Sequence, residues 1–227
     1  EDADALFGRP MGIPKTGVFG LYDLIGIDLM ADVVVSLGNI LPKNDAFHAV
    51  GGANSAIAAM IAAGYTGDKG KGGFYMTEPG TETSARLARQ MARFDGPGMP
   101  PYAAVKTTMP AAAIAAAKAA AQQQEPLFPL LDGDDNAANF CRRALGRILH
   151  YAASLIPDVT TTPQDIDDAM KLGFNWQRGP FEMIDAIGPQ RFASLLDECV
   201  LKMPPFLAAD APIYQRQANQ LIVRHAD

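Results

Sequence analysis

Cysteine occurs only twice in 227 residues, at Cys141 and Cys199, and the two do not form a Cys-x-x-Cys pair. That argues against a disulfide framework and points to a reducing cytoplasm as the chain's setting. Histidine occurs three times, at His48, His150 and His225, without the spacing of a metal motif. No run of Lys or Arg is present and the formal charge is −6, so neither nucleic acid nor an anionic membrane is expected as the main partner. No apolar stretch has membrane-spanning length, and no basic-then-apolar leader opens the chain. A Ser-His-Asp order, a nucleophile elbow and a GxGxxG fingerprint are also missing. The remaining balance, 48% apolar and 19% charged residues, suits one large globular domain or two small ones.

What the chain does have is a repeat. Gly17-Val18-Phe19-Gly20-Leu21-Tyr22-Asp23-Leu24-Ile25-Gly26 aligns without a gap on Gly179-Pro180-Phe181-Glu182-Met183-Ile184-Asp185-Ala186-Ile187-Gly188. The first Gly, the Phe, the Asp, the Ile and the closing Gly are identical. Upstream, Asp2-Ala3-Asp4 aligns with Asp165-Ile166-Asp167 after a one-residue slip. Such a repeat marks two versions of one helical unit. A unit that only partly buries its apolar face finds a natural partner in its sister, so the copies are expected to pack as a pseudo-twofold pair. The opening residues Glu1 to Phe7 read as the inside of a helix. Their counterpart at 164–170 follows a long helical stretch at 139–156, and no such stretch precedes Glu1. The expectation is therefore a piece of a longer polypeptide, cut within its first repeat.

The pattern predicts an all-α fold of two related helical-bundle units: a first repeat over 1–76, a connector over 77–136 and a second repeat over 137–227. Val18, Leu21, Ile25, Leu29, Val33 and Leu37 predict a helix over 17–37 with a broad buried face and Thr16 as its N-cap. A second helix is expected over 55–63, ended by Gly64 in a left-handed conformation. Gly67 to Gly73 then forms a turn leading into Phe74-Tyr75 as a short extended tail. In the connector, a polar helix is expected over 77–93, a break at 95–101, a short strand over 102–106 and a peripheral Ala-rich helix over 111–124. The second repeat begins with a helix over 139–156 that faces inward through Phe140, Ala144, Ile148, Ala152 and Leu155. Pro163 suits the first turn of the next helix, which runs to Met170, and two more follow over 179–187 and 191–200.

Few residues invite a chemical role. Lys69-Gly70-Lys71-Gly72-Gly73 has the composition of a phosphate cradle, but it lacks P-loop spacing and a strand-turn-helix context, so a packing turn is the favoured reading. Asp23 and Asp185 recur one turn into their helices. Recurrence in both copies favours a structural anchor over a general base. Phe19 and Phe181 read in the same way as core anchors. Glu182 with His150 as an acid–base pair, and Arg142-Arg143 as an anion clamp, have no support in spacing. Trp176 is expected to be a buried plug.

Three segments carry a resemblance. Residues 9–26, the stretch Gly64-Tyr65-Thr66-Gly67-Asp68-Lys69-Gly70-Lys71-Gly72-Gly73-Phe74-Tyr75, and Ile166-Asp167-Asp168-Ala169-Met170-Lys171-Leu172-Gly173 running on to Gly179-Pro180-Phe181-Glu182 and Asp185 resemble the 3-hydroxyacyl-CoA dehydrogenase C-terminal domain. The tandem arrangement resembles the long bacterial form, in which an NAD-binding domain precedes two such units and an enoyl-CoA hydratase-like domain is fused in some members. The resemblance implies NAD-dependent oxidation of an L-3-hydroxyacyl-CoA to the 3-ketoacyl-CoA in fatty-acid β-oxidation. It also implies that the catalytic His-Glu pair and the NAD site lie upstream of Glu1, leaving no catalytic residue, cofactor or metal in this chain. The family's assisting Asn belongs to the helix absent ahead of the first repeat. The second copy reads Phe140-Cys141-Arg142-Arg143 there, so it is expected to be degenerate as a catalytic unit and to pair with the first. The residues expected to face substrate are Pro14, Lys15, Thr16, Gly17 and Phe19. Expected partners are the acyl-CoA, the enzyme's own NAD-binding domain and a fused hydratase domain. The rival reading is a helical interaction or scaffold module with no catalytic role.

Overall fold

The computed structural model describes residues 1–52, 54–77, 86–91, 99–105, 108–208, 211–217 and 220–226. Its helices are α1 (Asp2–Leu6), α2 (Phe19–Ile25), α3 (Ile27–Ile40), α4 (Ser55–Ala62), α5 (Ala111–Ala121), α6 (Leu127–Leu131), α7 (Asn136–Ser154), α8 (Pro163–Asp168), α9 (Pro180–Ile187) and α10 (Pro189–Glu198). The strands are β1 (Tyr75–Thr77), β2 (Arg86–Arg89), β3 (Tyr102–Ala104), β4 (Tyr214–Gln217) and β5 (Gln220–Val223). The chain divides into two compact units, one made of Glu1 with Thr16–Thr108 and the other of Asp2–Lys15 with Met109–Asp227.

Helices dominate, as the apolar periodicity predicts, but the all-α expectation is corrected by two small sheets. The first unit carries a three-stranded antiparallel sheet in the order β1-β2-β3, and the second a β4-β5 hairpin. The expected polar helix over 77–93 fails where it is described, because Arg86–Arg89 is β2. Residues 78–85 and 92–98, including most of the expected break, lie outside the described residues. The reason is tertiary. Ala88 pairs with Tyr75 on one side and Ala103 on the other, while the Arg86 guanidinium lies 3.8 Å from the centre of the Tyr75 ring. Contacts with both flanking strands override the segment's helical composition.

In the first unit Gly26 adopts φ 111° and splits the expected single helix into α2 and α3. Only glycine takes up that conformation without strain. Thr16 is not the N-cap: α2 starts at Phe19, with Val18 before it and no side-chain cap. Asn54 does cap α4, its Oδ1 accepting from the amides of Ala56 and Ile57, and Gly64 closes the helix with φ 83° as expected. The core gathers Ile27, Met60, Phe74, Tyr75 and Ala88. The face predicted to be buried along 17–37 is largely open instead: Leu21, Ile25, Leu29 and Val33 are 37–48% exposed.

In the second unit α5 is not peripheral. Ala113, Ala116 and Ala119 are buried on one stripe, and α5 lies against α6. Methyl-sized side chains let the two backbones approach closely, so a helix with little to bury still docks. Helix α7 buries Ala138, Cys141, Leu145, Leu149 and Ala152, a face about one residue off the predicted one, and leaves Phe140 exposed. It packs against α6, α9 and α10, while α1 packs against α7 itself. Pro163 occupies the first turn of α8 as predicted. Trp176 is half-buried rather than a buried plug.

Candidate functional site

Each unit is held by a carboxylate, buried in the first and part-buried in the second, that grips the start of its strand. In the first, Asp23 on α2 accepts from the amides of Phe74 at 2.8 Å and Tyr75 at 2.7 Å. In the second, Asp185 on α9 accepts in the same way from Ile213 at 2.9 Å and Tyr214 at 2.8 Å. The repeated aspartate therefore meets backbone donors in both units, more than fifty residues along the chain in one and about half that distance in the other.

The glycine-lysine turn is built onto Asp23. Its carbonyl accepts from the Asp68 amide at 2.9 Å, and Gly67 and Gly72 form an antiparallel bridge. Gly70 donates to the Gly67 carbonyl, Lys71 to that of Gly64 and Gly73 to that of Tyr75. The lysines are engaged too: Lys69 Nζ lies 2.7 Å from Asp28 Oδ1, and Lys71 Nζ donates to the Ala63 carbonyl at the end of α4. With these amides bonded within the unit and both ammonium groups already engaged, this is a packing turn rather than a preformed phosphate cradle.

On the other side of Gly73 sits a buried guanidinium. Arg89 Nε donates to the Gly73 carbonyl at 3.1 Å, Nη1 to that of Pro100 and Nη2 to the Tyr102 hydroxyl. Its Cζ lies over both the Tyr65 and Tyr102 rings, at 4.0 and 4.1 Å from their centres. Stacking of this kind favours Arg over Lys.

Asp167 is fully buried at the end of α8 and caps α9 from outside that helix. Its oxygens accept from the amides of Phe181 at 2.8 Å and Glu182 at 3.0 Å, and from the Tyr214 hydroxyl at 2.8 Å. Burial pushes this carboxyl up to about 6 against the pull of the three donors, and raises Asp23 in the same direction. Glu182 receives the Gly179 amide and pairs with Lys171 at 2.7 Å. His150 meets the Lys202 carbonyl, so the imagined Glu182–His150 pair is not assembled. Arg142 is occupied by Glu198 and by the carbonyls of Leu131 and Gly133. Cys141 and Cys199 are free, buried thiols, with Cys141 pushed up to about 12 by desolvation. Among the described residues no group of His, Cys, Asp and Glu is placed to hold a metal, and no helix is long and apolar enough to cross a membrane.

The first unit contains a cavity of about 630 Å³, lined by Phe19, Tyr22, Met30, Val34, Ile57 and Phe74 among others. Its polar side chains are Tyr22 and Asn54, and Asn54 already caps α4. Among the described residues this lining is mostly apolar and offers no acid–base pair. Of the residues expected to face substrate, Phe19 lines the cavity, with its ring 4.8 Å from that of Phe74. Pro14 and Lys15 belong to the second unit, Thr16 and Gly17 to the first, and none of these four lines the cavity.

Residues 140–220 match the family model described as 3-hydroxyacyl-CoA dehydrogenase, C-terminal domain. Over those residues the chain is similar to that domain. The similarity to individual proteins extends further. A Rickettsia felis protein named as a fatty acid oxidation complex trifunctional enzyme is 30% identical over 227 residues, covering 99% of this chain and 29% of that protein. Its Rickettsia prowazekii namesake is 32% identical over 181 residues, 80% of this chain and 23% of the relative. A Bacillus subtilis protein named as a 3-hydroxyacyl-CoA dehydrogenase is 31% identical over 207 residues, 91% of this chain and 24% of the relative. The chain spans about a quarter of the length of these relatives.

Within the dehydrogenase C-terminal domain match lie Asp167, which is fully buried, and the part-buried Asp185 and Tyr214, a polar set that sequence reasoning saw only in part. Asp167 stood in the repeat alignment, but its hydroxyl donor is 47 residues away and carries no local signal. A raised carboxyl pKa favours the folded chain below the unfolded value, and that contribution fades as pH rises through about 6. The Asp167 carboxyl carbon is therefore expected to titrate near pH 6 by NMR, with this group withdrawing about 1 kcal/mol of stability between pH 5 and 7. A midpoint at or below 4 would contradict the assignment.

Proposed function

We propose that this chain is the C-terminal part of an NAD-dependent 3-hydroxyacyl-CoA dehydrogenase, which oxidises L-3-hydroxyacyl-CoA to 3-ketoacyl-CoA in fatty-acid oxidation. The observation that carries this reading is the 30% identity to the Rickettsia felis protein along 99% of the chain, joined to the family match over 140–220. NAD binding and the transfer of hydride and proton belong to other parts of that enzyme. The chain's contribution is then a wall of the acyl-CoA cleft in the first repeat, with Pro14, Lys15, Thr16, Gly17 and Phe19 facing the substrate. Pairing of the two repeats stands in for a partner subunit, each repeat anchored by its Asp23 or Asp185 clamp and the second also by Phe181, which is fully buried. The partners are the acyl-CoA, the enzyme's own NAD-binding domain and a fused hydratase domain, in the cytoplasm.

The test compares NADH formation from 3-hydroxybutyryl-CoA by the longer enzyme and by the 227-residue chain. Turnover is expected from the first and none from the second. Equal rates refute the proposal.

A further inference from the structure

Helices α9 and α10 and the segment leading into β4 enclose a cavity of about 310 Å³ within the second unit. Its walls are mostly apolar, with Ile184, Phe192, Met203, Leu207 and Ile213 among them. Among the described residues the polar side chains on this lining are Asp185, Tyr214 and Arg224. Each of them is bonded within the protein. Asp185 accepts from the Ile213 and Tyr214 amides, the Tyr214 hydroxyl donates to Asp167, and Arg224 donates to the Ala211 and Phe206 carbonyls.

The place of this cavity is shared by both copies of the repeat. Gly26, at φ 111°, joins α2 to α3 as Gly188, at φ 84°, joins α9 to α10, and Asp23 grips Phe74 and Tyr75 as Asp185 grips Ile213 and Tyr214. In that register Ile184 matches Tyr22, Phe192 matches Met30 and Ile213 matches Phe74, and all six line the cavity of their own unit. Protein interiors are close-packed, with few voids larger than a water molecule. A hollow at the same place in two copies whose lining side chains differ is therefore a feature of the unit and not a packing accident. At 310 Å³ against 630 Å³ the second copy's hollow is half as large. It stands at the lower end of the range for small-ligand sites, about 300–1,000 Å³.

We propose that the second unit's cavity binds a short unbranched aliphatic chain with an uncharged head, such as the acyl tail of a thioester. The choice of an acyl chain rests on the functional reading above, whereas the preference for an uncharged aliphatic ligand rests on the lining alone. Apolar walls supply affinity through the methylenes they bury. The lining carries one carboxylate and one guanidinium, so it offers no excess of positive charge to a phosphate or a free carboxylate. Burying such an anionic head costs desolvation that this balance does not repay. Met203 is 37% exposed and stands at the open side, where its unbranched side chain can adapt to the ligand.

Methionine-methyl NMR of the 227-residue chain reads both cavities, since Met203 lines one and Met30 the other. The probes are the butanoyl, hexanoyl and decanoyl thioesters of N-acetylcysteamine, which carry an acyl group without a nucleotide, and hexanoate as the charged counterpart. The hexanoyl thioester is expected to shift the Met203 signal saturably and to bind about tenfold more tightly than the butanoyl one, because two further methylenes are buried. Decanoyl is expected to bind no more tightly than hexanoyl, and hexanoate about tenfold more weakly. Leu207→Trp fills the cavity and abolishes the Met203 shift, whereas Leu207→Ala enlarges it and preserves the shift. A silent Met203, a shift of Met30 alone, or tighter binding of decanoyl or hexanoate overturns the proposal. So does a shift that survives Leu207→Trp or is lost in both variants. Dehydrogenase turnover by the longer enzyme is read separately. Turnover with a silent Met203 removes this site and leaves the functional reading standing, whereas a saturable shift without turnover does the reverse.

Discussion

Asp167→Ala lowers the stability of the second unit by about 3–5 kcal/mol, seen as an earlier unfolding transition in Trp176 fluorescence. The size follows from what the carboxylate holds. Its loss strands the buried amide of Phe181 and the part-buried Glu182 amide and Tyr214 hydroxyl around a carboxylate that is itself fully buried. Each unsatisfied buried donor costs about 1–3 kcal/mol, and relaxation around the cavity returns part of that. The chain's single tryptophan lies between α8 and α9, the two elements that Asp167 ties together, so it reports on the affected unit. Asp168→Ala is the control. Asp168 is half-buried with its side chain 43% exposed, its ion pair with Lys171 at 3.2 Å is open to solvent, and its removal is expected to cost about 1 kcal/mol or less. Similar shifts for the two variants would remove Asp167 from its place as the cap of α9.

Gly73→Ala has a comparable effect on the first unit for a different reason. A Cβ at this position would overlap Asp23 Oδ1 and lie 2.6 Å from its Cγ, and that carboxylate cannot retreat without releasing Phe74 and Tyr75. The same residue's carbonyl receives Arg89 and Tyr102, so a shift of Gly73 loosens both sides of the clamp at once. A loss of about 3 kcal/mol or more is expected, read as at least a hundredfold faster exchange of the Phe74 and Tyr75 amides. Unchanged exchange at those two amides would show that the contact yields cheaply. Asp23→Asn separates charge from contact, since it keeps one acceptor oxygen and should fall between the wild type and Gly73→Ala.

The two predictions concern different residue types, and the sequence exposes them unequally. Asp23 and Asp185 were visible because they repeat, and their hydrogen bonds to successive amides give that repetition a physical content. Gly73 was visible as part of a glycine-rich string, whose composition fits both a phosphate site and a packing turn. The direction of its donors and the closeness of Asp23 became legible only once residues 23 and 73 were brought together in space. Arg89 left no signal at all. It lies in a stretch with helical composition, and its role depends on Tyr65, Tyr102 and two carbonyls supplied by other segments.

Helical periodicity was a sound guide to which segments coil and a weaker one to what they bury. The spacing from Val18 to Leu37 is helical in composition, but period alone does not show that Gly26 would divide it. Nor does it show whether a neighbour is present to cover the apolar side. The same limitation works in reverse at α5, where a stripe of alanines looks too poor in apolar surface to dock and yet packs because small side chains permit close approach.

By itself the sequence determined the repeat, the helical character of most segments, the anchoring aspartates and the likeness to a dehydrogenase C-terminal domain. These are carried by residue order and short-range spacing, which act before any fold exists. Tertiary structure alone decided that residues 86–89 pair as a strand, that the glycine-lysine turn points its amides inward, that Asp167 is capped by a hydroxyl 47 residues away, and that the α2–α3 face stays open. Each of those outcomes depends on which distant group arrives as a neighbour, and burial and hydrogen bonding are properties of the pair rather than of either residue.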